Sequence, residues 1–189
     1  MSPHPQYGGI IPPRHKVDLP MLDNSPRSGH GSIIESGFRP HPLLRNAHIQ
    51  TMGPALLRPT PQVNFRRETL TLPDGDFLVL GHAGPDSDTA PRVLMLHGLT
   101  GGLESKYLRG LTQQMLPKGW ACIAVQQRGA GPRPNRLPRS YNHGASDDIA
   151  WLLQEIRGRH PKAPLFAVGW SLGGNVLLKT LGELGDAAP

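Results

Sequence analysis

A single cysteine, Cys122, stands among 189 residues, so the chain forms no internal disulfide, and a reducing compartment, the cytoplasm, is expected. Long apolar runs are absent too. Runs such as residues 93–96 fall far short of the roughly 18 residues a membrane helix needs. The opening Met1-Ser2-Pro3-His4-Pro5 has neither the charged nor the apolar region of a secretory signal. Glycine is plentiful but follows no triplet period, which excludes collagen. Clustered positive charge is also lacking. The net charge is +6, yet no basic run exceeds Arg66-Arg67, so the charge marks no nucleic-acid surface and no nucleic-acid partner is expected.

What is present divides at about residue 37. Residues 1–37 hold Pro12-Pro13, Pro20, Pro26 and several Gly, Ser and His without an apolar period, and read as a disordered tail. Residues 38–189 read as the folded part. A short helix is expected over residues 47–57, interrupted by Pro54. Residues 65–72 and 77–80 read as strands around the hairpin signal Asp74-Gly75. The short apolar runs over residues 92–96, 120–125 and 164–168 suit strands buried on both faces. Between them, Leu108, Leu111 and Met115 recur at helical spacing, as do Ile149, Leu152, Leu153 and Ile156. Residues 172–184 give a last helix. The fold class is therefore α/β, with a mostly parallel sheet after an antiparallel opening hairpin.

The sharpest chemical signal is Gly169-Trp170-Ser171-Leu172-Gly173, a G-x-S-x-G directly after a buried strand and directly before a helix. Gly169 and Gly173 permit the tight turn, and the turn lifts the Ser171 hydroxyl to the carboxyl end of the sheet as a nucleophile. The Leu172 N–H, at the helix N-terminus, faces developing negative charge as one oxyanion donor. His97-Gly98 follows a strand in the same way and opens Leu99-Thr100-Gly101-Gly102, a loop whose Leu99 N–H completes an oxyanion hole. His97 itself is expected to be a structural loop histidine. Asp147 and Asp148 read as helix N-terminal charges, with a carboxylate pair for metal or acid–base work as the alternative. Arg128, Arg133, Arg136 and Arg139 form a basic loop near the site mouth, either solvated or meeting an anionic head group. Cys122 reads as a core thiol.

On these residues the chain resembles the α/β-hydrolase superfamily and, within it, the YheT-like hydrolases related to plant EMB8 and the eukaryotic ABHD esterases and lipases. The narrower resemblance also rests on Asn46-Ala47-His48-Ile49-Gln50-Thr51, Asp74-Gly75-Asp76-Phe77, Gln127-Arg128-Gly129 and Tyr141-Asn142-His143-Gly144. It covers residues 38–185 and implies an α/β-hydrolase fold acting on a small-molecule or lipid ester, without metal or organic cofactor. Peripheral membrane contact fits such a substrate.

The chain departs from the superfamily after Ser171, where the triad acid and histidine should follow in that order. Only 18 residues follow Ser171, and all nine histidines precede it. Glu183 and Asp186 lie on or just past the helix that leads away from the elbow. The expectation is therefore an N-terminal part of the fold, C-terminally truncated, carrying the nucleophile and oxyanion loop but no base. His143 is the first candidate for a replacement base. The alternative is a non-catalytic, truncated or degenerate hydrolase fragment that binds a lipid or protein partner. Either way the strand at residues 164–168 becomes an exposed sheet edge, open to self-association. Concentration-dependent association and a broad melt are expected of this chain in dilute solution. A sharp, cooperative, monomeric transition by calorimetry and ultracentrifugation would refute that.

Overall fold

The computed structural model of the protein describes residues 37–189. The tail expected over residues 1–37 lies outside them apart from Gly37. The chain divides into two units, one ending at Gln50 and one running over Thr51–Pro189. In the first, a single 3-10 turn, Pro42–Leu44, starts where His41 Nδ1 accepts from the Leu43 N–H at 3.3 Å. Asn46 Oδ1 then accepts from the N–H groups of His48 at 2.9 Å and Ile49 at 3.3 Å, satisfying donors a helix start leaves open. That helix, α1, runs Ala47–Leu57 straight through Pro54 rather than breaking there. Proline forfeits one backbone bond, and the chain still closes the next turn through Arg58 N–H to Pro54 O at 3.2 Å.

The second unit holds a five-stranded sheet: β1 (Arg66–Thr71), β2 (Phe77–Ala83), β3 (Arg92–Leu96), β4 (Ala121–Gln126) and β5 (Leu165–Gly169). Its order is β1-β2-β4-β3-β5. β1 and β4 both run antiparallel to β2, and β3 runs parallel to both β4 and β5. Helix α2 (Lys106–Met115) leads from β3 to β4, α3 (Ser146–Arg159) from β4 to β5, and α4 (Leu172–Leu184) follows β5. These match the expected elements within a residue or two, except that β2 runs three residues past its expected end.

Strand alternation sends side chains to two cores. Leu94, Leu96, Ile123 and Val125 join Ile149, Leu152 and Val176 under α3 and α4. Val93, Met95, Cys122 and Ala124 join Leu103 and Leu108 under α2, so Cys122 is a core thiol. Burial pushes that thiol up to about 11 against the opposing Thr112 hydrogen bond, so it stays protonated at neutral pH. β5 is less buried than its apolar run implies. Among the described residues it pairs only with β3, and Phe166 remains 49% exposed. No helix among the described residues is long and apolar enough to cross a membrane.

One ion cluster ties the elements together. Arg128, just past β4 and 2% exposed, meets Asp148 of α3 through Nε at 3.0 Å and Nη2 at 2.6 Å. Its Nη1 lies 2.8 Å from both Asp76 and Asp74 in the β1–β2 turn. Asp148 hydrogen bonding pushes the guanidinium further above its ordinary pKa, against the burial cost. Burial would raise the Asp76 carboxyl, but the N–H groups of Arg136 and Phe77, with Asn135 and Arg128, outweigh it and hold the carboxyl below its ordinary value.

This corrects one reading of the sequence and narrows another. Asp148 is a buried partner of Arg128, not merely a helix-end charge. In the arginine loop Arg128 is buried, while Arg133, Arg136 and Arg139 are exposed as the solvated reading expects, Arg139 beside Asp147 and Arg133 over the Phe77 ring at 4.1 Å. Arg136 donates to Gly75 O at 2.6 Å.

Removing one member of a buried ion cluster leaves the others uncompensated, at a cost of about 3–5 kcal/mol. Arg128→Met is therefore expected to lose about that much stability in urea unfolding at pH 7. A loss under about 1 kcal/mol would mean that the cluster does not hold the fold.

Candidate active site

The site forms where β3 and β5 end side by side. Leu96 pairs with Gly169 in register, so the two chain segments leaving these strands emerge together. Trp170 N–H donates back to Leu96 O at 3.1 Å, and Gly173 N–H to Trp170 O at 2.9 Å. This folds the chain into a strand–turn–helix in which Ser171 takes φ 50° and ψ −117°. A non-glycine residue adopts such a φ only when its surroundings impose it.

Those surroundings are close backbone approaches. A Cβ on Gly169 would lie 2.5 Å from Gly173 O, and a Cβ on Gly173 would lie 2.5 Å from His97 O and 2.6 Å from Leu96 O. The loop after β3 crosses the elbow at Gly98, where a Cβ would come 3.3 Å from Ser171 Cβ. The structure thus brings Ser171, Leu172, Gly169, Gly173, His97, Gly98 and Leu99 to one place. Ser171 is exposed and its side chain makes no capping bond to α4.

The loop is held by His97 and by groups to which the sequence assigned no role. His97 is fully buried. Its Nδ1 lies 2.7 Å from Gly98 O, and its Nε2 accepts from the Gln127 N–H at 3.2 Å. Gln127 Nε2 returns a bond to His97 O at 2.9 Å. Accepting from an N–H requires an unprotonated Nε2, so Nδ1 carries the hydrogen and donates to Gly98 O. Burial lowers the His97 pKa, with the Gly98 carbonyl opposing, and keeps the ring neutral. With both nitrogens engaged, His97 is the structural loop histidine expected from its position.

Two tyrosines complete the frame. Tyr107 OH accepts from the Gly98 N–H at 3.0 Å, and Tyr141 OH from the Thr100 N–H at 2.9 Å. Gly101 N–H donates to Gly98 O at 3.0 Å, and Gly102 N–H to Ser105 Oγ at 3.0 Å. Between these occupied donors, the Leu99 N–H has no partner among the described residues. Gly98 O is drawn toward His97 and Gly101, and in a planar trans peptide the Leu99 N–H points the opposite way. Thr100 takes φ 59°, which makes it and Ser171 the two non-glycine residues with positive φ among the described residues.

No hydrogen bond joins Ser171 to an imidazole among the described residues. The His143 backbone carbonyl accepts from Asn175 Nδ2, on the first turn of α4, at 3.2 Å. Glu183 is engaged elsewhere, with Ser146 Oγ at 2.5 Å and with Lys179. No group of three or more potential metal ligands occurs among the described residues.

The chain has counterparts among known proteins. A family described as the α/β-hydrolase fold matches residues 91–186. The esterase candidate YheT of Escherichia coli (strain K12) is 36% identical over 154 residues, covering 80% of this chain and 45% of its own length. Human phospholipase ABHD3 is 30% identical over 148 residues, covering 72% of this chain and 36% of its own. The chain thus spans less than half the length of these curated relatives. Among solved structures, Est1E of Butyrivibrio proteoclasticus with ferulic acid bound superposes with a TM-score of 0.55 at 16% identity, over 63% of this chain and 48% of that one. That likeness speaks to the fold alone.

The close approach at Gly173 sets an expectation for two alanine substitutions on one helix. Gly173→Ala drives a methyl into the His97 and Leu96 carbonyls and is expected to cost about 1–3 kcal/mol. Gly182→Ala, with open space around the added methyl, is expected to stabilise α4 by about 0.5–1 kcal/mol. Equal urea midpoints for the two variants would contradict the packed elbow.

Proposed function

Since the chain belongs to the α/β-hydrolase family, with a YheT-like sequence, we propose that it carries the nucleophile and oxyanion site of a serine hydrolase acting on carboxylic esters. The observation that supports this most is the strained Ser171 backbone at a strand–helix turn, abutting a loop with an unpaired Leu99 N–H. In this reading Ser171 Oγ attacks the ester carbonyl carbon, and the carbonyl π electrons move onto oxygen. The Leu99 and Leu172 N–H groups receive that oxyanion, and fixed donors of this kind are worth about 3–4 kcal/mol each at the transition state. The alkoxide leaves with a proton, an acyl-serine remains, and water releases the acid.

A serine needs a base to lose its proton near neutral pH. Among the described residues no imidazole is hydrogen-bonded to Ser171, so the proposal assigns base and acid to residues of a longer protein, as the lengths of the relatives suggest. YheT is named as an esterase candidate and ABHD3 as a phospholipase, which points the substrate toward small or lipid esters. A cytoplasmic location, with peripheral contact to membrane for lipid substrates, belongs to the same reading. The absence of an imidazole partner favours one alternative for this chain by itself: a hydrolase fragment that binds a lipid or protein partner without turnover.

Fluorophosphonate labelling read by intact mass separates the two. The hydrolase reading expects one covalent adduct on the chain and none on Ser171→Ala. A folded sample that takes no label favours the non-catalytic reading for these 189 residues. If label appears, His143→Ala tests whether the tethered loop supplies the base.

A further inference from the structure

The end of the sheet opposite Ser171 concentrates charge that ester chemistry does not use. In register, Arg66 of β1 lies beside His82 of β2, His82 beside Ile123 of β4, and Arg92 of β3 beside Ala121 of β4. Strand alternation puts Arg66, Glu68, His82 and Arg92 on the same face as Leu80, Ile123 and Leu94, the face covered by α3. Helix α3 ends over this region and contributes Arg159, followed by His160. With the turn at residues 84–86, these groups line a cavity of about 520 Å³. That volume is in the range of small-molecule sites.

The cavity holds three guanidinium groups, from Arg66, Arg92 and Arg159, against two carboxylates, from Glu68 and Asp86. Glu68 is fully engaged: Oε1 accepts from Arg159 at 2.8 Å, and Oε2 pairs with His82 Nε2 at 2.7 Å. Arg66 is exposed, and its side chain makes no hydrogen bond or ion pair among the described residues. Arg92 is only 4% exposed. One of its nitrogens, Nη2, donates to Ser87 O at 2.6 Å and to His160 Nδ1 at 2.8 Å. Its Nε is the one buried side-chain nitrogen or oxygen among the described residues without a hydrogen-bond partner. A buried donor left open is costly, the more so when it is charged.

We propose that this cavity binds the phosphate group of a small molecule, anchored by Arg66 and Arg92, with the His82 ring beside it. Guanidinium donors arriving from β1 and β3 suit a tetrahedral oxyanion with three terminal oxygens better than a planar carboxylate. The guanidinium fork of Arg66 matches two of those oxygens. The volume exceeds a bare phosphate ion, so a phosphomonoester fills the site better. The site lies at the other end of the strands from Ser171 and stands whether or not Ser171 is catalytic.

His82 is a built-in reporter. Burial, with the Arg66 and Arg159 charges, lowers its pKa, and Glu68 opposes them. A phosphate seated against the ring adds negative charge and moves that pKa up. The test follows the His82 ring by NMR through pH titrations of the whole chain at constant ionic strength, adding inorganic phosphate, glycerol 3-phosphate or acetate. Thermal melts run in parallel, since a ligand of the folded state raises the Tm.

Both phosphates are expected to raise the His82 pKa and the Tm, glycerol 3-phosphate at lower concentration, and acetate to do neither. In Arg66→Gln, an exposed change that spares the core, the apparent Kd should weaken roughly tenfold or more. Equal potency of the two phosphates would assign the site to the free ion. No response to tens of millimolar phosphate, an equal response to acetate, or an unchanged Kd in Arg66→Gln would overturn the proposal.

Discussion

The Arg128 guanidinium is the point on which the upper end of this sheet is assembled. It reaches Asp148 at the start of α3 and two aspartates in the β1–β2 turn, so one side chain fixes a hairpin, a loop and a helix relative to one another. Three carboxylates facing each other without it would repel across a poorly solvated interior. The neighbouring arginines follow from this arrangement. Asp76 also accepts the Arg136 N–H and Asn135 Nδ2, which ties the exposed Arg/Pro loop down beside Phe77. Because Arg128 sits next to Gln127 in the chain, anchoring it also sets the Gln127 backbone and side chain that grip His97.

From there the order passes to the site. A neutral, doubly hydrogen-bonded His97 fixes the direction of the Gly98 peptide, and the Gly98 peptide fixes the direction of the Leu99 N–H. The tyrosine hydroxyls occupy the donors on either side. The catalytic geometry proposed for this end therefore depends on buried polar groups that touch no substrate. Partly satisfied networks are costly in a low-dielectric interior, and this one satisfies both imidazole nitrogens.

Much of this was legible in sequence, and for identifiable reasons. The elbow and the His97-Gly98 loop are local signals: a few consecutive residues specify a turn whose shape depends on missing side chains. The strands at residues 92–96 and 164–168 were legible because buried parallel strands are continuous apolar runs. Pro54 was misread because the residues on both sides of it stay helical despite the backbone bond it forfeits. The Arg128 cluster was not legible because its partners lie 20 and 52 residues away, and charge pairing carries no period. Gln127 and Tyr141 stood in motifs carried by resemblance, but their work became visible only when two loops met. The Arg92 environment was hidden for the same reason: an arginine opening an apolar strand looks like an end marker until the strands beside it are in register.

Thr100 and Ser171, the two non-glycine residues held in left-handed backbone, sit on the two loops that meet at this site. Each such residue costs of order 1 kcal/mol or more relative to a relaxed conformation. Glycine would occupy either position without that penalty. Under selection for stability alone, random substitution would therefore erode both side chains toward glycine. On the reading proposed for Ser171, folding and chemistry pull in opposite directions at the elbow, and a serine persists there only as long as something other than stability selects for it.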